Sequence, residues 1–214
     1  MKNRRGLTKK ERKHKKKLQI INRKLIKKYY WLMPRSAWTG KIINDYDYTW
    51  IEWGWSKGWD KAFGKIYMEE LGAAVKEAGL KDFRILQIKE KYGQARCYTN
   101  CLTDKIYNII NKYEVISEHI CYFCGKEAPM IGKYWITPEC FDCYKKRWKD
   151  KGLSEEELRS KYEDEICDIP NENGEYHLPD SYTVTQLGED ANIETTYDIS
   201  DTTFKIRKWW NKHH

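Results

Sequence analysis

Four cysteines carry the clearest chemistry in this chain. Cys121 and Cys124 form one C-x-x-C pair, fifteen residues follow, and Cys140 and Cys143 form a second. Zinc prefers four soft or borderline ligands in a tetrahedron, and a two-residue spacer lets two thiolates reach one ion from a tight turn. The spacing favours a structural Zn2+ over two redox pairs or four reduced buried thiols. Gly125 suits the turn of a zinc knuckle, and Pro138 precedes the second pair. The order of knuckle, strand-like Tyr134-Trp135-Ile136 and a Cys pair opening a helix over Phe141–Lys149 predicts a zinc-ribbon or treble-clef-like finger. Four protein ligands close the coordination sphere and leave no position for a water nucleophile. His119, two residues before Cys121, is more often a neighbour of such a site than a ligand. No His stands between Cys124 and Cys140, and no His–carboxylate cluster is visible beside the pairs. The sequence therefore offers no catalytic constellation and reads as non-enzymatic. Cys97, Cys101 and Cys167 read as free thiols.

Charge carries the second signal. The net charge of +8 hides two opposed ends. Residues 1–28 hold fourteen Lys and Arg against the single acid Glu11, whereas residues 154–202 hold fifteen Asp and Glu against Arg159 and Lys161. The run Lys9, Lys10, Arg12, Lys13, Lys15, Lys16 and Lys17 is too dense to be an ordinary solvated face, and a polyanion would relieve its self-repulsion. RNA or DNA is the expected ligand. An acidic partner protein, the chain's own acidic tail and plain solvation are the alternatives. Lys145, Lys146 and Arg147, after the second Cys pair, form a further candidate basic surface. The aromatic-rich region 46–59 suits base stacking, but such spacing more often marks core. The acidic tail reads either as a solvating segment or as an imitation of a nucleic-acid backbone.

Positioning these groups requires several elements. Thr8 and Glu11 form a capping-box pattern opening a basic helix over 8–30, with Leu18, Ile21 and Leu25 at helical spacing. A second amphipathic helix is predicted over 60–78 from Phe63, Ile66, Tyr67, Leu71, Ala74 and Val75, stopped by Gly79. Residues 83–89 and 95–99 read as a hairpin with Gly93 available for positive φ. Thr103 or Asp104 caps a helix bearing Ile106, Ile109, Ile110, Tyr113 and Ile116. Ser154 and Glu157 form a capping box before an acidic helix. Beyond Asp168 the pattern weakens, and 182–185 and 204–210 read as short strands. The predicted class is α+β: helices packed on a short antiparallel sheet, then a finger, then an irregular acidic region. The expected divisions are 1–34, 35–118, 119–150 and 151–214. No stretch approaches the roughly 20 apolar residues that span a bilayer. No apolar run follows the basic N-terminus at signal-peptide distance, so a cytoplasmic location is expected.

The strings Gly58-Trp59-x-Lys61-Ala62-Phe63-Gly64, Arg84-Ile85-x-Gln87-Ile88-Lys89-Glu90-Lys91-Tyr92-Gly93 and Ile110-x-Lys112-Tyr113-Glu114, followed by the two Cys pairs, give the chain a family likeness. Over about residues 20–145 it resembles uncharacterised proteins carried by phages and prophages of gut bacteria. The resemblance extends to Trp31-Leu32-Met33-Pro34-Arg35 and Trp38-Thr39-Gly40. It implies a bacterial host cytoplasm and brings no catalytic residues. It also implies a second class of function. A small phage protein with a basic head and an acidic tail suits counter-defence, as an anti-CRISPR-like inhibitor of a host defence protein or ribonucleoprotein. No membrane or small-molecule partner is expected. The acidic extension after Leu153 departs from the family pattern.

Overall fold

The computed structural model describes residues 8–33, 35–36, 39–42, 56–132, 135–168, 176–186 and 193–213. Its class is α+β, with helices and three separate two-stranded antiparallel sheets. Helix α1 spans Lys9–Lys28 and leads into a 3-10 turn at Tyr30–Leu32. Helix α2 (Lys57–Trp59) passes through a π-helical segment, Asp60–Gly64, into α3 (Lys65–Glu77). Strands β1 (Ile85–Lys91) and β2 (Gln94–Thr99) form the first hairpin, and α4 spans Asp104–Glu118. Then come β3 (Met130–Ile131), β4 (Thr137–Pro138), α5 (Phe141–Trp148) and α6 (Glu155–Glu163). The chain closes with β5 (Ser181–Gln186), β6 (Ile193–Asp198) and α7 (Ser200–His213).

Local signals account for most of these boundaries. Thr103 caps α4 by accepting from the Ile106 N–H at 3.3 Å. Ser154 and Glu157 make the full reciprocal capping box of α6. The first hairpin turns on two residues with positive φ, Tyr92 (53°) and Gly93 (77°), the backbone shape that matches strand twist. Burial does the rest. On α3 and α4 the stripes Tyr67, Leu71, Ala74 and Ile106, Ile110, Tyr113 face each other. Tyr67 stacks on Tyr113 with ring centroids 4.2 Å apart, and Phe63 completes the row. The N–H of Ala95 on β2 donates to Ser117 Oγ of α4 at 2.8 Å, so α4 side chains cover that strand edge.

Two readings shift. Residues 204–210 are helix, within α7, not strand. The buried face of the α7 region is Ile199, Thr202, Thr203 and Ile206, and two of its four members are threonines that an apolar count overlooks. Thr203 is wholly buried with its hydroxyl 3.2 Å from Asp180 Oδ1. Second, the described C-terminal residues are regular, and Leu178, Tyr182, Ile199 and Ile206 join the main core. Among the described side chains of α1, Ile26 packs on the core and Leu25 partly so, while Ile20 is exposed; the side chains of Leu18 and Ile21 lie outside the described residues. Trp59, from the aromatic-rich region 46–59, is fully buried. Trp38, Tyr46, Tyr48, Trp50, Trp53 and Trp55 lie outside the described residues.

Candidate metal centre

The first Cys pair grows directly out of α4. His119 is the C-cap of that helix, and Ile120 bridges to Glu127 across the loop. The Cys121 N–H donates to Lys126 O at 2.7 Å and the Gly125 N–H to Cys121 O at 3.0 Å, closing a tight knuckle. Gly125 carries a φ of 88°, which strains any side chain. The second pair sits on a helix start. Cys140 is the N-cap of α5, and the Cys143 N–H donates to Cys140 O at 3.0 Å. The short β3–β4 hairpin lies between the pairs, and its strand falls at Thr137–Pro138, one step beyond the expected 134–136.

These elements bring the four sulfurs of Cys121, Cys124, Cys140 and Cys143 within 4.8 Å of one another, and Cys124 Sγ lies 3.6 Å from Cys140 Sγ. A tetrahedral ion with metal–sulfur bonds of about 2.3 Å requires sulfurs about 3.8 Å apart. The cluster matches that edge and exceeds the roughly 2.05 Å of a disulfide. All seven cysteines are free. The thiols of Cys121 and Cys140 donate toward Cys124 and pull it down to about 2. Cys140 is pushed up by its hydrogen bonds to Cys121 and Cys124, and Cys143 is pushed up to about 12, mainly by burial. Four thiolates gathered this closely require a cation among them. The donor set can hold one metal ion, and four protein ligands leave it no open position. His119 is not part of the group.

Neighbouring residues bind the two halves to the rest of the molecule. Gly58 and Gly125 pack back to back. A Cβ on Gly58 would overlap the Cys121 carbonyl oxygen and stand 2.6 Å from that of Tyr122, and one on Gly125 would stand 2.6 Å from Gly58 O. The Trp59 indole N–H donates to Ile120 O at 2.8 Å. Beside Cys140, the buried Glu139 takes Arg147 in a two-pronged ion pair, and the Tyr162 hydroxyl donates to Glu139 O at 2.8 Å. Burial raises the Glu139 carboxyl even against that guanidinium. On the knuckle, Glu127 collects Arg207 of α7 at 2.9 Å, His177 at 3.2 Å and the Leu178 N–H at 3.4 Å. The chain thus does contain a His–carboxylate pair beside the finger. Fifty residues separate its members, so spacing along the chain gave no sign of it. Glu127 already serves three groups and no nucleophile joins them in these contacts.

The basic residues divide into two groups. Lys9, Lys10, Arg12, Lys13, Lys16 and Lys17 are exposed on α1, and among the described residues none has a carboxylate partner. Lys15 belongs to the same helix, but its side chain lies outside the described residues. After the second Cys pair, Lys145 is bonded to Glu155 and Arg147 to Glu139, and Lys146 meets no carboxylate among the described residues. Cys97 is buried and burial pushes its thiol up to about 12. Cys101 is half-buried and Cys167 exposed, and neither completes a second metal cluster among the described residues. No helix among the described residues is long and apolar enough to cross a membrane. No family model, curated protein or solved structure matches the chain.

Proposed function

We propose that the four cysteines hold a structural zinc ion in a treble-clef-type finger, and that the protein binds RNA or DNA non-enzymatically through α1. An all-sulfur tetrahedral donor set suits zinc, and the succession of knuckle, β3–β4 hairpin and helix-start pair supports that type of finger. One observation carries the binding reading. Six basic side chains stand exposed on α1, and among the described residues no carboxylate neutralises them. A free strip of this charge gains from releasing the counterions of a nucleic-acid backbone. The setting proposed is the cytoplasm of a bacterial host of a phage.

Binding of a labelled duplex and a labelled single strand, followed by anisotropy across a salt series, tests this. With six phosphate contacts, affinity should fall by about 10^3 between 50 and 200 mM salt. Reversing Lys9, Lys10, Lys13 and Lys16 to Glu should flatten the log–log salt slope by roughly 0.9 per residue on duplex DNA. Melting should stay unchanged, because these side chains bury nothing. No binding by the wild-type chain at 50 mM salt would refute the reading. One zinc per chain by elemental analysis checks the metal.

A further inference from the structure

We infer that the outer face of the β1–β2 hairpin is a stacking platform for unpaired bases, which makes single-stranded nucleic acid the preferred ligand. This rests on the nucleic-acid reading above and adds a surface to it. The register pairs Gln87 with Tyr98, Lys89 with Arg96 and Lys91 with Gln94. Side chains alternate across a sheet, so these six share the face opposite the buried Ala95 and Cys97. Lys89 lies over the Tyr98 ring at 5.2 Å, and Lys91 over the Tyr92 ring at 5.3 Å. Both rings are exposed, Tyr92 at 65% and Tyr98 at 42%. Each is thus a π-surface open to solvent with a cation held beside it, the combination that grips a base and its phosphate together. The rings are separated by roughly 15 Å along the strand, so they would take different bases of one chain.

Charge on this face favours the same occupant. The acid within the hairpin, Glu90, falls on the other side and accepts from the Gly93 N–H at 2.8 Å. At the border with α4, Glu114 is taken by Arg96 and Glu118 by Gln94. Among the described residues no carboxylate pairs with Lys89 or Lys91. The turn adds an independent sign. Tyr92 has a φ of 53°, a conformation for which Asn and Gly are favoured and a bulky ring is an outlier. The turn itself does not call for an aromatic there. Backbone strain of this kind gathers at binding sites.

The experiment compares wild type, Tyr98→Ala with Tyr92→Asn, and Tyr98→Phe with Tyr92→Phe, against one single strand and the duplex of the same sequence. Asn keeps the turn while removing the ring. Loss of stacking should weaken single-strand binding at least about fivefold per tyrosine. Duplex binding and its salt slope should not move, and the Phe pair should bind like wild type. If the ring-less variant binds the single strand as tightly as wild type while the α1 charge reversals still weaken it, the platform is wrong and the α1 reading stands. If wild type binds neither ligand, both fall. A melting curve for each variant excludes loss of fold as the cause of weaker binding.

Discussion

The two cysteine pairs stand on different foundations. Cys121 and Cys124 belong to a knuckle cemented to the main core, with Gly58 against its carbonyls and Trp59 bonded to Ile120. Cys140 and Cys143 open α5, which packs with α6 in a separate small cluster of Ile131, Tyr144, Leu158 and Tyr162. Between the clusters sit the four cysteines and Ala128, with Met130 and Pro138 of the β3–β4 hairpin lying against Gly93 of the first hairpin. A metal ion bound by all four sulfurs would couple the two cores at their junction. Its contribution would be felt unequally: the knuckle has other support, and the α5–α6 unit has less.

The largest expected effect breaks that coupling at its centre. Cys124→Ser, or removal of metal with a chelator, should abolish stoichiometric metal binding, and structural zinc sites are worth about 10–16 kcal/mol in small finger peptides. The loss should appear first in α5–α6, as amide hydrogen exchange that rises there before it rises in α3 and α4. Uniform exchange throughout the chain would contradict the inequality between the pairs. Next, Gly58→Ala attacks the knuckle's support without touching a ligand. The new methyl meets backbone, which moves little, so a cost of about 1–3 kcal/mol is expected. The bound metal should be retained, read by chemical denaturation alongside metal content.

On the other side, Tyr162→Phe removes the hydroxyl that holds Glu139 O next to Cys140. It should cost about 1 kcal/mol, with exchange changing in α5–α6 and not in the knuckle. The smallest effect concerns the α6 cap. The Ser154 N–H and hydroxyl hold the Glu157 carboxylate below the usual carboxylate range. That stabilisation is fully present above the unfolded value, near 4.3, and is lost as pH falls through the lowered folded value. The melting difference between wild type and Glu157→Gln, measured from pH 7 down to pH 3, should therefore shrink to nothing at the acid end.

Much of this architecture was legible because its causes are local. The Cys spacing, the caps at Thr103 and Ser154, and the positive φ at Gly93 each depend on a handful of consecutive residues, and each is found where the residues indicate. Reading failed where the cause is distant. Glu127 meets Arg207 across 80 residues, and Gly58 meets the knuckle across more than 60. Region 204–210 is helix although the buried face of this segment is half threonine, and the buried Thr203 hydroxyl is satisfied by the Ser200 carbonyl of its own helix as well as by the distant Asp180.

What the sequence determined by itself is the donor set: four thiols in two short-range pairs, whose spacing alone suits a tetrahedral ion. It also determined the dense positive charge of α1, since no fold can remove that many cations. Tertiary structure decided which of the basic residues remain available. Arg147 and Lys145 have the same composition as the α1 run, yet folding brings Glu139 and Glu155 to them. It also decided that the first cysteine pair rests on the core and the second on a satellite, because only packing determines which glycine lies beneath which carbonyl.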